Sequence, residues 1–122
     1  MPDDLLPLSR LFVALPRWRW RPGMLATNGT DKLRITEDML GAFEVLGLHW
    51  CKDLVPVPDD PATLGAILGL VREARNDPGI HAAPAAEHPV TWWWAYTGKG
   101  LGPIGSGPSE PAALYEALEG AP

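Results

Sequence analysis

Cysteine is nearly missing from this chain of 122 residues, which holds only Cys51. A lone thiol excludes an intramolecular disulfide and a zinc site built from four cysteines, and it fits a reducing, cytoplasmic compartment. Long apolar runs are missing too. The first fifteen residues contain Asp3, Asp4 and Pro7 and no basic leader, so neither a signal peptide nor a membrane span is expected. Positive charge is scarce: ten Lys and Arg against fifteen Asp and Glu leave a net charge of −5, which disfavours non-specific binding to nucleic acid.

What the chain has instead is tryptophan. Six are present, with Trp92, Trp93 and Trp94 consecutive and Trp18 and Trp20 two apart. In an extended segment side chains alternate, so Trp92, Trp94 and Tyr96 share one face and Trp93 and Ala95 take the other. Both faces then need cover, which calls for a sheet with material packed on each side. Fourteen prolines and thirteen glycines mark many short connections, yet the apolar content is too high for disorder. A chain of this length buries roughly two-thirds of its extended surface as one domain, residues 1–122.

Leu5, Leu8, Leu11, Phe12 and Leu15 recur at helical spacing, with Pro7 suited to the first turn and Pro16 to the end. Arg17-Trp18-Arg19-Trp20-Arg21 alternates with period two and reads as an edge strand with arginines outward. Met24 to Ala26 and Lys32 to Thr36 flank Asn28-Gly29, a tight-turn pair that predicts a hairpin. Thr36 can cap a short helix through Leu46, and Val45 to Val55 can instead supply a strand. Asp60-Pro61 opens a helix with Leu64, Ile67, Leu68, Val71 and Ala74 on one stripe, closed by Asn76-Asp77-Pro78-Gly79. A loop over residues 80–89, the tryptophan strand Val90 to Thr97 and a glycine-rich connection over residues 98–108 follow. Ser109 caps a last helix with Ala113, Leu114, Ala117 and Leu118 inward and Gly120 as its stop. The fold class expected is α+β: an antiparallel or mixed sheet with helices packed on both faces, α/β/α sandwich-like.

Catalytic and metal chemistry find little purchase. His49 and Cys51, joined by His81 or His88, are the right residue types for a metal site or for a cysteine nucleophile with a histidine base. A single His-x-Cys pair is too few ligands, and Cys51 reads as a small buried hydrophobe. Paired carboxylates at Asp3-Asp4, Glu37-Asp38 and Asp59-Asp60 each stand at a helix start, where capping explains them. In the glycine-rich stretch Lys99 comes too early for a triphosphate-binding loop. No catalytic residue, metal or cofactor is assigned. Tryptophan and arginine are the side chains that stack on nucleobases and dominate binding hot spots. The ligand-binding candidates are therefore Arg17, Trp18, Arg19, Trp20, Arg21, Trp92, Trp94 and Lys99.

Three blocks carry a family resemblance: Trp18-Arg19-Trp20-Arg21-Pro22-Gly23-Met24, Asp60 to Gly65 running into Leu70-Val71-Arg72-Glu73-Ala74, and Ser109-Glu110-Pro111-Ala112-Ala113-Leu114 after the aromatic strand. Over about half the chain they resemble small phage and prophage proteins of the phage ABA sandwich domain family. Trp93 and the long stretch after Gly98 depart from that pattern. The resemblance implies helices on both sides of a sheet and no known reaction. The function expected is a non-enzymatic binding protein in the host cytoplasm that inhibits host defence by sequestering a nucleotide-type signal or a defence protein. A virion or replication accessory without a small ligand and a small hydrolase are the alternatives. A homo-oligomer fits all three.

Overall fold

The computed structural model describes residues 5–46, 54–86, 92–100 and 102–122. The protein is α+β, with four helices and two antiparallel three-stranded sheets among the described residues. It divides into two compact units, Met1–Ala66 and Ile67–Pro122.

In the first unit, helix α1 (Leu6–Val13) buries Phe12 and Ser9. The expected stripe is narrower than its spacing implies, for Leu11 stays 49% exposed. Strands β1 (Leu25–Thr27) and β2 (Lys32–Arg34) form the hairpin that Asn28-Gly29 predicts. The Asn28 Oδ1 accepts the N–H groups of Thr30 and Asp31 at 2.9 and 2.8 Å, and Gly29 takes a φ of 100° that a side chain would resist. Thr36 caps α2 (Glu37–Leu46), its Oγ1 accepting the Met39 N–H at 3.3 Å. Strand β3 is only Val55–Pro56 and pairs with β1, giving the order β2-β1-β3. The strand weighed over residues 45–55 is thus helix at its start and strand at its end, with residues 47–53 outside the described set.

Helix α3 (Pro61–Ala74) starts where Asp60 accepts the Thr63 N–H at 3.0 Å. The same carboxylate takes a two-pronged contact from Arg34 at 2.6 and 3.2 Å, and the Thr63 hydroxyl at 2.9 Å. Thr63 in turn accepts the Leu25 N–H at 2.7 Å, so the cap ties β1, β2 and the helix start together. The Arg34 guanidinium holds the Asp60 carboxyl down to a pKa of about 2.

In the second unit, α3 ends with Asn76 in the left-handed region at φ 50°. Strands β4 (His81–Pro84), β5 (Trp93–Tyr96) and β6 (Pro103–Gly107) form one sheet in that order. Both β4 and β6 lie in stretches that the sequence presents as loops. Alanine, proline and glycine have weak strand preferences, and pairing to β5 overrides them. Helix α4 (Glu110–Glu119), capped by the Ser109 hydroxyl on the Ala112 N–H, buries Ala113, Leu114, Ala117 and Leu118 as the spacing predicts. It packs on β6 because Gly105 and Gly107 have no side chains. A Cβ on Gly105 would meet the Ala113 carbonyl oxygen, and one on Gly107 would stand 2.5 Å from the Ala112 Cβ.

Candidate functional site

The segment Arg17–Arg21 is not a strand. Its alternation comes from a local ring cluster. The Trp18 ring lies 5.8 Å from Phe12 and meets Trp20 edge-on at 5.3 Å. Pro16 and Pro22 flank the segment and carry no N–H for a ladder. Trp18 is therefore core, at 8% exposure, and its Nε1 has no hydrogen-bond partner among the described residues. The Arg19 guanidinium is used locally, donating to the carbonyls of Pro16 and Trp18 at 3.2 and 2.8 Å. Arg17 points to solvent, while Trp20 and Arg21 are half-buried. This group belongs to the first unit, whereas Trp92, Trp94 and Lys99 belong to the second.

The second group rests on strand register. Gly105 and Gly107 face α4, and they pair directly with Ala95 and Trp93, so those two share the α4 face. Ala95 is fully buried there. Trp94 and Tyr96 are left on the opposite face, together with His81, Ala83 and Ser106, their cross-strand partners or neighbours, and Trp92, just before β5, continues the same alternation. None of these six is buried. Trp92 is 39% exposed and His81 is open to solvent.

His81 and Tyr96, opposite each other across β4 and β5, stack with ring centres 5.5 Å apart and 28° between planes. The His81 Nδ1 is 3.2 Å from the Gly79 carbonyl oxygen. A carbonyl only accepts, so this contact puts the proton on Nδ1 and leaves Nε2 of the neutral ring as an acceptor. The hairpin beneath is clamped by Asp77, whose carboxylate accepts the N–H groups of Gly79 at 3.0 Å and Gly98 at 2.9 Å. Lys99 stands exposed on the β5–β6 turn just beyond that clamp.

The other features are structural. In an open depression of about 430 Å³ lined by Gly69, Arg72, Glu73, Asn76, Asp77 and Pro78, Arg72 donates to the Ile80 carbonyl at 2.8 Å and Asp77 is clamped as above. No set of three His, Cys, Asp or Glu side chains able to hold a metal occurs among the described residues. His49, Cys51 and His88, the remaining members of the metal or nucleophile set, lie outside them. Burial raises the Glu110 pKa at the start of α4. No helix among the described residues is long and apolar enough to cross a membrane.

The sequence pattern names Trp92 and Trp94 as ligand-binding residues, passes over Tyr96 and Ser106, and weighs His81 only for metal or nucleophile chemistry. Tyr96 was legible as the next residue on the same strand face. His81 and Ser106 were not, because their strands carry no strand signature. Comparison with known proteins finds no matching family model, and no curated protein or solved structure similar enough to match.

Proposed function

We propose that this is a non-catalytic binding protein, and that its recognition surface is the face of the second sheet bearing Trp92, Trp94, Tyr96 and His81. One observation carries this reading: the rings of Trp94, Tyr96 and His81 occupy the sheet face turned away from α4, Trp92 stands at its edge just before β5, and none of the four is buried. Large rings in solvent contact on a hydrogen-bonded sheet offer contact area at little conformational cost, and each base stacked on such a ring contributes about 1–3 kcal/mol. The biological setting is a phage- or prophage-encoded inhibitor that sequesters a nucleotide-type signal of host defence, or a defence protein, in the host cytoplasm. The three sequence blocks that resemble the phage ABA sandwich family support that setting. The proposed surface leaves out the Arg17–Arg21 segment, because Trp18 is core and the Arg19 guanidinium donates to its own backbone.

The test is calorimetry and thermal shift with cyclic dinucleotides, cyclic oligonucleotides and ADP-ribose derivatives, on the natural chain and on Trp94→Ala. Binding that Trp94→Ala abolishes supports the reading. Silence from every nucleotide, with no defence protein retained, removes it.

A further inference from the structure

The aromatic face has almost no charge. None of His81, Ala83, Trp92, Trp94, Tyr96 and Ser106 is an Asp, Glu, Lys or Arg, and with Nδ1 turned to the Gly79 carbonyl the neutral His81 ring offers an acceptor at Nε2. The remaining polar groups are the hydroxyls of Tyr96 and Ser106. Rings two residues apart on β5 stand about 7 Å from each other along the strand. The surface thus combines flat apolar rings with a few neutral donors and acceptors. A phosphate calls for something else: guanidinium groups, a lysine or a helix N-terminus aimed at it, and Lys99 stands on the β5–β6 turn, off the strands that carry the rings. The Asp77 carboxylate at the base of this sheet is occupied by two backbone N–H groups, and the chain as a whole carries a charge of −5.

We infer that this face recognises the uncharged base-and-ribose part of a nucleoside, by stacking and neutral hydrogen bonds, and leaves any phosphate in solvent. The inference rests on the aromatic face being the binding surface, and it specifies which part of the ligand that surface reads. It assigns the stacking to Trp94 and the His81–Tyr96 ring pair, and hydrogen bonds to the ring hydroxyls or amino groups of the ligand to His81 Nε2.

Intrinsic tryptophan fluorescence, titrated with adenosine, guanosine, cytidine and uridine and with their 5′-monophosphates at low and high salt, tests it. The expected result is that one or more nucleosides bind, that each binds within about three-fold of its monophosphate, and that salt changes neither, because no counterions are released. Trp94→Ala is expected to weaken both by about ten-fold or more. His81→Ala, at an exposed position that leaves the fold in place by circular dichroism, is the second variant and is expected to weaken both as well. A monophosphate that binds ten or more times tighter than its nucleoside, with steep salt dependence, overturns the inference and leaves the binding surface standing. Binding of cyclic dinucleotides alone, sensitive to Trp94→Ala, does the same. If none of these probes binds, the inference falls, and the reading beneath it stands only if a defence protein is retained on this face.

Discussion

The Asp77 carboxylate accepts the backbone N–H of Gly98 at 2.9 Å, joining the end of α3 to the start of the β5–β6 turn across 21 residues of sequence. The same carboxylate accepts the Gly79 N–H, and the Gly79 and Gly98 backbones pass so closely that a Cβ on Gly98 would stand 2.6 Å from the Gly79 Cα. Replacing Asp77 with alanine leaves two N–H groups without their acceptor and is expected to cost about 2–3 kcal/mol. Asp77→Asn keeps one acceptor oxygen and should lose less. Chemical denaturation of both variants gives the comparison, and equal losses would mean the carboxylate is not the clamp.

Glycine substitutions should separate by what surrounds them. Gly105→Ala forces a methyl group into the α4 backbone and is expected to cost at least about 1–3 kcal/mol. Gly65→Ala lies inside α3 with nothing within 4 Å of the new Cβ, and should stabilise by about 0.5–1 kcal/mol. Thermal melts of the pair are enough. A stable Gly105→Ala protein would contradict the close approach of β6 and α4.

Asp60 links charge to folding. Its carboxyl has a pKa of about 2 in the folded protein, against an ordinary 3.8, chiefly through the Arg34 contact and then through Thr63. A depressed folded-state pKa stabilises the fold at pH values above 3.8, and that contribution drains away as the pH falls through the window from 3.8 to about 2. Arg34→Ala should move the Asp60 titration, followed by carboxyl carbon NMR, back toward the ordinary value. Asp60→Ala also removes the α3 cap, at about 1 kcal/mol. An Asp60 that titrates normally with Arg34 present would refute the pairing.

Trp94 and Trp93 are neighbours in sequence with different tasks. Trp93 shares the α4 face, so Trp93→Ala should lower stability by about 2–4 kcal/mol, the range for a large partly buried ring. Trp94→Ala should cost less stability and weaken ligand binding. Parallel measurement of melting and ligand titration distinguishes them, and a reversed order of stability losses would show that the faces are misassigned.

Much of this scaffold was legible in the sequence because its signals were local. The Asn28-Gly29 turn, the Thr36, Asp60 and Ser109 caps and the inward residues of α4 all depend on near neighbours, and all stand where their chemistry places them. The losses came where tertiary contact decides. His81–Pro84 and Pro103–Gly107 become strands through pairing with β5, and glycine in β6 serves the approach of α4 rather than a flexible loop. Arg17–Arg21 shows the opposite failure. Its period of two is real, but Trp18 satisfies it against Phe12 and Trp20 instead of against a strand. The tryptophan face was half legible: alternation along β5 set which rings stand together, while His81 and Ser106 required the register of the flanking strands.

The bare glycine track of β6 under α4 has one more result. Where α4 sits on the bare backbone of Gly105 and Gly107, no β6 side chain stands between them to repack, so this contact is expected to resist sliding. If the opposite face takes a ligand as proposed, a stiff floor of this kind would reduce the ordering entropy lost on binding.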